Sequence, residues 1–450
     1  MKLHAVVLAA GKGTRMKSAR PKVMHALGGR PMLAYVLDAV RQADAADVIV
    51  VTGPELCAEV EALGARPVVQ EPRNGTGHAM QLALDALRDG GGEVLVVSAD
   101  MPLVSPALLR AIREKRAAAS APLAMVTARV SLPTDFGRVV RENGRVVRIV
   151  ENADASERER AIDEVNAAVY CFDSAALRES LRQLQPNNAQ GELYLTDCVG
   201  AIAAAGGNIE TLECGDPVEV IGINNRAELA RAEGILRRRI LERHMLAGVT
   251  IVDPASTYVD AGVRIGQDTV IEPQCHLRGT TLVGRGCTLG PGVMLENAVV
   301  GDAAHISHSV VRDSEIGAGA TIGPFAHLRN GAVIEDRARV GNFVEVKKSR
   351  LGRGAKASHL AYLGDAEIGE EANIGAGTIT CNFDGAKKNK TKIGKRASVG
   401  SNTSLVAPVE LGDDALTGAG SVVTHDVAPG ERVAGNPARP LPKKPAPDPR

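Results

Sequence analysis

The chain has 450 residues, enough for about three domains, or for fewer if one is a repeat array. Its 53 Lys+Arg balance 53 Asp+Glu, and a net charge of +0 disfavours a polyanionic partner such as duplex nucleic acid, which needs a basic surplus. Aromatic residues are 2% of the chain, with Trp 0 and Gly 48, so aliphatic side chains and glycine corners must build much of the interior.

Residues 1–225 alternate between strand-like and helix-like segments. His4 to Ala10, Asp47 to Thr52 and Glu93 to Ser98 are apolar runs of strand length, whereas Met32 to Gln42, His78 to Leu87 and Pro106 to Arg116 have helical spacing. The alternation predicts a parallel sheet with crossover helices. After the first strand comes Gly11-Lys12-Gly13-Thr14-Arg15, then Pro21-Lys22. Glycines let backbone N–H groups approach phosphate oxygens, and Arg15 and Lys22 can neutralise them. Met16 stands where a dinucleotide fingerprint needs its third glycine, and the Walker A spacing is absent. Asp100 follows the third strand, at the end where α/β sheets bind ligands, and a carboxylate there suits Mg²⁺ between phosphates.

Arg226 to Leu246 sets Leu229, Ala232, Leu236, Ile240 and Met245 near one helical face. With Asn225 as N-cap and Gly248 as stop, it predicts a long linker helix over 226–248. Across 249–436 an aliphatic residue recurs every six positions, as at Ile265, Ile271, Leu277, Val283, Leu289 and Leu295. A period of six fits neither a helix nor a flat strand. It fits a triangular parallel β-helix, with three hexads to a coil and the aliphatic residues inward. The repeat breaks from Cys381 to Lys392, which reads as a basic loop thrown out of the prism. Residues 437–450, rich in Pro with Lys and Arg, read as a flexible tail.

The seven cysteines (Cys57, Cys171, Cys198, Cys214, Cys275, Cys287 and Cys381) are scattered without a CxxC pair. This speaks against a disulfide framework or zinc site and for a reducing compartment. No stretch approaches the ~18 apolar residues of a membrane span, and the expected location is the cytoplasm.

The run Leu8-Ala9-Ala10-Gly11-Lys12-Gly13-Thr14-Arg15-Met16 with Pro21-Lys22 resembles the nucleotidyltransferases that make nucleoside-diphosphate sugars. Gln70 with Gly75-Thr76-Gly77-His78, Ala99-Asp100-Met101-Pro102, Phe136-Gly137-Arg138 and Gly222-Ile223-Asn224-Asn225 follow in that family's order. Joined to the hexapeptide repeat, residues 3–436 resemble the bacterial bifunctional N-acetylglucosamine-1-phosphate uridylyltransferases and glucosamine-1-phosphate N-acetyltransferases. The resemblance implies an α/β Rossmann-like nucleotidyltransferase domain, a linker helix and a left-handed parallel β-helix. It further implies a homotrimer with neither a nucleic-acid nor a membrane partner. Its chemistry would be acetyl-CoA-dependent N-acetylation of glucosamine-1-phosphate. Uridylyl transfer from UTP to N-acetylglucosamine-1-phosphate would follow, with release of pyrophosphate.

The same resemblance implies residue roles. Arg15 and Lys22 act on the phosphates. Leu8, Ala9, Ala10, Gly11, Lys22, Gln70, Gly75, Thr76, Asp100, Gly137, Glu151, Asn166 and Asn224 bind UTP or UDP-N-acetylglucosamine. Of these, Gln70, Gly75 and Thr76 read uracil, and Gly137, Glu151 and Asn166 hold the sugar. Asp100 and Asn224 carry one or two Mg²⁺ ions. His359, in Ser358-His359-Leu360-Ala361-Tyr362, is the general base of acetyl transfer, because imidazole titrates near neutrality. Arg329, Lys347 and Lys388 hold the phosphate of glucosamine-1-phosphate, and Tyr362 and Asn373 its sugar. Ala376, Asn382, Phe383, Ser401, Ala419 and Arg439 meet acetyl-CoA. The chain departs from the family at Ser98-Ala99 (usually Tyr-Gly), at Ala167-Ala168 after Asn166 (usually Thr-Gly), at Phe383 (usually Tyr) and at Asn436 (usually Arg). Two rival readings place the β-helix as a bare trimerisation stalk, or the chain as a non-enzymatic sugar-nucleotide sensor. His359, Tyr362 and the basic loop oppose the first; Arg15, Lys22, Asp100 and Asn224 oppose the second.

Overall fold

The computed structural model describes residues 2–87, 91–132 and 134–441. They form two units, the first ending at Leu236 and the second starting at Arg237.

In the first unit, strand Leu3–Leu8 lies between Asp47–Thr52 and Glu93–Ser98 and runs parallel to both. Arg66–Val69 extends the parallel part. The all-parallel expectation fails at Glu164–Asp173, which inserts antiparallel between Glu93–Ser98 and Leu123–Arg129. The chain from Leu123–Arg129 reaches it through the hairpin Arg138–Glu142 and Arg145–Val150 rather than a crossover helix, so it returns in the opposite direction. Alternate strand residues face opposite sides of the sheet. Val7, Leu95 and Val97 pack with Leu33, Val36, Leu109 and Ile112 of helices Met32–Gln42 and Pro106–Ala119. Val6, Val94 and Val96 pack with Met80, Leu84, Leu177 and Leu181 of helices Gly75–Ala86 and Ser174–Arg182. The result is three layers, α/β/α. Each buried aliphatic side chain contributes about 1.5–3 kcal/mol.

Helix Arg226–Leu246 is capped as its sequence predicts: Asn225 Oδ1 accepts the N–H groups of Ala227 and Glu228 at 3.0 Å. Glu228 reciprocates toward Asn224 N and Asn225 Nδ2, both at 2.6 Å. Its buried stripe is Ala232, Leu236, Ile240, Leu241 and His244, whereas Met245 is exposed. Five residues past Ile240, Met245 lies about 140° around the helix.

The second unit is a left-handed parallel β-helix whose three faces are sheets of 12, 10 and 9 strands. Leu277, Leu295, Val311, Leu328 and Val346 stack in one inward column, all at 0% exposure. Rings would not fit so narrow a prism, and Tyr258, Phe325, Phe343 and Phe383 of this unit are exposed. Ile265, in the first coil, is only half-buried. The excursion is shorter than expected: Cys381 pairs with Val406 and Lys392 with Glu410, leaving residues 382–390 outside the coil. At the far end, Arg439–Pro440 pairs with Arg432–Ala434, so regular pairing passes residue 436. Residues 442–450 of the expected tail lie outside the described residues.

Candidate functional site

The first site is a cleft of about 590 Å³ above the strand ends, in the size range of small-molecule sites. It opens where Leu3–Leu8 has its sequential neighbour Asp47–Thr52 on one side and Glu93–Ser98 on the other, the switch point of the sheet. Leu8, Ala9, Ala10, Gly11, Lys22, Gln70, Gly75, Thr76, Asp100, Gly137, Glu151 and Asn166 all line it.

Lys22 ties its charged end together. Lys22 Nζ donates to Asp100 Oδ2 at 2.5 Å and to Asn224 Oδ1 at 3.1 Å. A Cβ on Gly13 would lie 2.6 Å from Lys22 Cβ, so only glycine admits Lys22 at this place. Asp100 Oδ1 accepts the Ser98 hydroxyl at 2.6 Å, and the Asp100 carbonyl accepts the Ile223 N–H at 2.9 Å. Arg15 is set apart from the cleft lining. The turn Thr14–Met16 buries Met16 and leaves Arg15 exposed, 3.9 Å from Asp135.

At the other end, Gln70 is buried and donates to the Gly75 carbonyl at 2.8 Å, which fixes its amide plane. Glu151 Oε1 accepts the Thr196 hydroxyl at 2.9 Å. Burial pushes the Glu151 carboxyl above its ordinary pKa, outweighing the Thr196 bond. Asn166 donates to Tyr170 Oη at 2.6 Å and accepts the Ala168 N–H at 3.1 Å. Ser98, Tyr170 and Thr196 were not singled out from the sequence as site residues. Thr196 is 45 residues from its partner Glu151, so no local pattern marks it.

The second site lies on the β-helix. Asn342 and His359 pair across neighbouring coils, and the corner column continues through Ala376, Ser401 and Ala419. The N–H of Asn402 bonds to the Ala376 carbonyl at 2.6 Å and that of Gly420 to Ser401 at 2.8 Å. His359 Nδ1 is 2.8 Å from Asn342 Oδ1. An amide oxygen only accepts, so Nδ1 carries the hydrogen, and in the neutral ring it is Nε2 that keeps the lone pair.

Arg329, Lys347 and Tyr362 occupy one face of the prism, in neighbouring strands. Arg329 Nη2 is held 2.6 Å from Glu345. The basic loop does not leave its own prism altogether: Lys388 lies against Lys347 and holds that ammonium below its ordinary pKa. The root of the loop is drawn inward because Asn382 donates to Asp365 at 2.7 Å, and Lys390 meets Glu367 at 2.8 Å. Gly364 leaves room there, since a Cβ would meet Tyr362 Oη at 2.5 Å and Asn382 Nδ2 at 2.7 Å. Asn382 is thus buried and engaged, while Phe383 and Arg439 are exposed. Asn373 stands on a different face, between Lys356 and Ser398.

A phosphate-ready cleft on an α/β sheet, followed by a hexapeptide prism carrying an imidazole and three clustered cations, defines a nucleotidyltransferase joined to an acyltransferase. Residues 5–201 match the MobA-like NTP transferase domain, 254–351 the GMPPB C-terminal domain, and 390–425 the hexapeptide repeat of succinyl-transferase. The chain is 47% identical over 431 residues to the bifunctional protein GlmU of Trichlorobacter lovleyi, with 94% of each chain covered. It is 46% identical over 447 residues to that of Geobacillus thermodenitrificans, covering 99% of this chain and 97% of the relative. The chain belongs to the GlmU family of bifunctional proteins, and it has uridylyltransferase and acetyltransferase activities. Among the described residues no helix is long and apolar enough to cross a membrane.

Proposed function

We propose that the cleft of the first unit carries uridylyl transfer and that the cation face and corner column of the β-helix carry acetyl transfer. The meeting of Lys22, Asp100 and Asn224 at one point above the sheet carries this reading.

In acetyl transfer, His359 Nε2 takes a proton as the amine of glucosamine-1-phosphate attacks the thioester carbonyl of acetyl-CoA. The C–S bond breaks, and the proton that His359 accepted passes to the departing sulfur, so CoA leaves as its thiol. Arg329, Lys347 and Lys388 hold the phosphate. Two ammoniums side by side disfavour each other's charge, and a phosphate dianion relieves this. Tyr362 contacts the sugar, and Ala376, Ser401 and Ala419 form the column along which acetyl-CoA lies.

In uridylyl transfer, an oxygen of the N-acetylglucosamine-1-phosphate phosphate attacks the α-phosphorus of UTP, and pyrophosphate leaves. Gln70, Gly75 and Thr76 hold uracil; Gly137, Glu151 and Asn166 hold the sugar. Lys22 and the glycine-loop N–H groups face the phosphates, and Arg15 meets the departing end. Among the described residues no group of three or more His, Cys, Asp or Glu side chains is placed for a metal. Asp100 and Asn224 nevertheless offer two hard oxygens facing one Nζ, and Mg²⁺ keeps waters and takes substrate phosphates for the rest of its shell. Asp100 and Asn224 would hold Mg²⁺, which would offset the charge of the meeting phosphates.

The acetyl-transfer residues lie on two faces, with Asn373 on one and Lys347 and Tyr362 on another. A site using all of them takes a second copy of the prism, and the assembly we propose is a homotrimer.

Two assays on the full chain test the reading: CoA release with glucosamine-1-phosphate, and UDP-N-acetylglucosamine formation from UTP. Asp100→Asn should cut uridylyl transfer about 100-fold or more and spare acetyl transfer. His359→Ala should lower the acetyl-transfer kcat ~10²–10⁴-fold and spare uridylyl transfer. A variant that loses both activities, or neither, overturns its assignment.

A further inference from the structure

Arg138 is among the largest fully buried side chains, at 1% exposure. Burying a guanidinium is costly unless a carboxylate or a full set of acceptors compensates it. Among the described residues Arg138 meets no carboxylate at ion-pair distance. Its donors go to the Phe136 carbonyl, to the Thr134 carbonyl at 2.9 Å and to Asn152 Oδ1 at 3.3 Å. Its Nε is buried without a partner. Such a cation contributes geometry rather than stability.

The acceptors identify the geometry. Arg138 and Val150 are the last pair of the hairpin ladder. Beyond that pair no backbone hydrogen bond among the described residues joins residues 134–137 to 151–152. The guanidinium spans the gap in place of the ladder, with Thr134 and Phe136 on one side and Asn152 on the other. Next to these acceptors are Gly137 and Glu151, which both line the cleft. They lie near each other: a Cβ built on Gly137 would be 3.4 Å from Glu151 Oε2.

We propose that Arg138 is a positioning residue of the sugar subsite, its guanidinium cross-linking the Thr134–Phe136 segment to Asn152 and so setting the spacing of Gly137 and Glu151. This rests on the reading of Gly137 and Glu151 as the groups that hold N-acetylglucosamine-1-phosphate. A lysine keeps the charge but not the planar fork that reaches acceptors on both segments.

The test uses the full chain and the variants Arg138→Met, Arg138→Lys and Glu151→Ala. KM for N-acetylglucosamine-1-phosphate, kcat, and UTP affinity by calorimetry are measured on each. Arg138→Met should raise the sugar-phosphate KM at least about tenfold, because small misplacements of binding groups are costly. UTP affinity should stay within about twofold, since the uracil and phosphate groups lie elsewhere in the cleft. Arg138→Lys should not restore the sugar KM. An unchanged sugar KM in Arg138→Met, or full rescue by lysine, overturns the proposal. So does a loss of UTP and sugar binding in the same proportion in both variants, which is what a merely structural role or an unfolded domain would give. Glu151→Ala separates the two levels. If it raises the sugar KM while Arg138→Met does not, the subsite reading stands and the role of Arg138 falls. If Glu151→Ala has no effect, the subsite reading falls and takes the proposal with it.

Discussion

His359 and Glu151 illustrate how much of each site depends on a single partner. The Asn342 side-chain Oδ1, 2.8 Å from His359 Nδ1, keeps the proton of the neutral ring on that nitrogen and leaves Nε2 free to act as a base. Asn342→Ala should therefore lower kcat for acetyl transfer and shift its pH profile, with little change in the KM for acetyl-CoA. A pure KM effect would mark Asn342 as a binding group instead. Glu151 is a carboxyl whose pKa is raised, chiefly by burial. Its folded form holds a proton more tightly than its unfolded form, so stability is lost as pH rises from the ordinary carboxylate value through the raised one. Glu151→Gln should melt higher than the parent at pH 7, and the gap should close near pH 4. Equal melting temperatures at both values would contradict this. The same shift should make sugar-phosphate binding weaken as Glu151 takes up its proton, and the dependence on acid should be smaller in the glutamine variant, where the substrate phosphate still titrates.

Among the elements, strand Glu93–Ser98 and helix Pro106–Ala119 are joined by more than apolar packing. Glu93, buried at the start of the strand, takes Arg113 Nε at 2.8 Å and Arg116 Nη2 at 2.7 Å from the helix. Burial raises the Glu93 pKa, but the bonds from Arg116 and Arg113 outweigh it and hold the group below its ordinary value. The stabilisation is thus present above the unfolded carboxyl pKa and is lost as pH falls through the folded one. Glu93→Gln leaves Arg116 buried without a counter-charge and should cost about 3–5 kcal/mol in urea unfolding at neutral pH. The difference from the parent should shrink in acid; a constant difference would point to packing alone. The same strand ends at Ser98, whose hydroxyl holds Asp100 two residues further on, so the variant should also weaken uridylyl transfer while sparing the β-helix activity.

For the whole molecule, the long helix is shared by the two units. Glu233 accepts the Gly28 N–H at 2.8 Å in the first, and Arg237 lies 4.3 Å over the Tyr258 ring in the second. The distribution of acetyl-transfer residues over two prism faces makes the proposed trimer testable. Lys347→Ala and Asn373→Ala alter different faces. Each variant alone should be impaired in acetyl transfer. Unfolded together and refolded as mixed trimers, they should regain part of the activity, because some sites then combine an intact face from each chain. Mixed trimers no more active than either parent would mean that the site lies within one chain.

The period of six residues, the glycine loop before Lys22, the cap at Asn225 and the strand-end Asp100 were legible in the order of residues. Each is a short-range property: which side chains face inward, where the backbone must turn, and where a strand stops depend on a few neighbours. Twelve residues of the first cleft's lining, from Leu8 to Asn166, were legible too, through the resemblance to known transferases. The antiparallel return of Glu164–Asp173, the Thr196 bond to Glu151 and the separation of Asn373 from Tyr362 were not, and neither was the folding of Lys388 back onto Lys347. Those depend on strand register and on which distant segments the core brings within hydrogen-bond distance. Arg138 shows the division most plainly. In the sequence it is the last residue of the Phe136-Gly137-Arg138 segment, with no role attached, and its burial without a counter-charge, spanning two segments, exists only once the hairpin has closed.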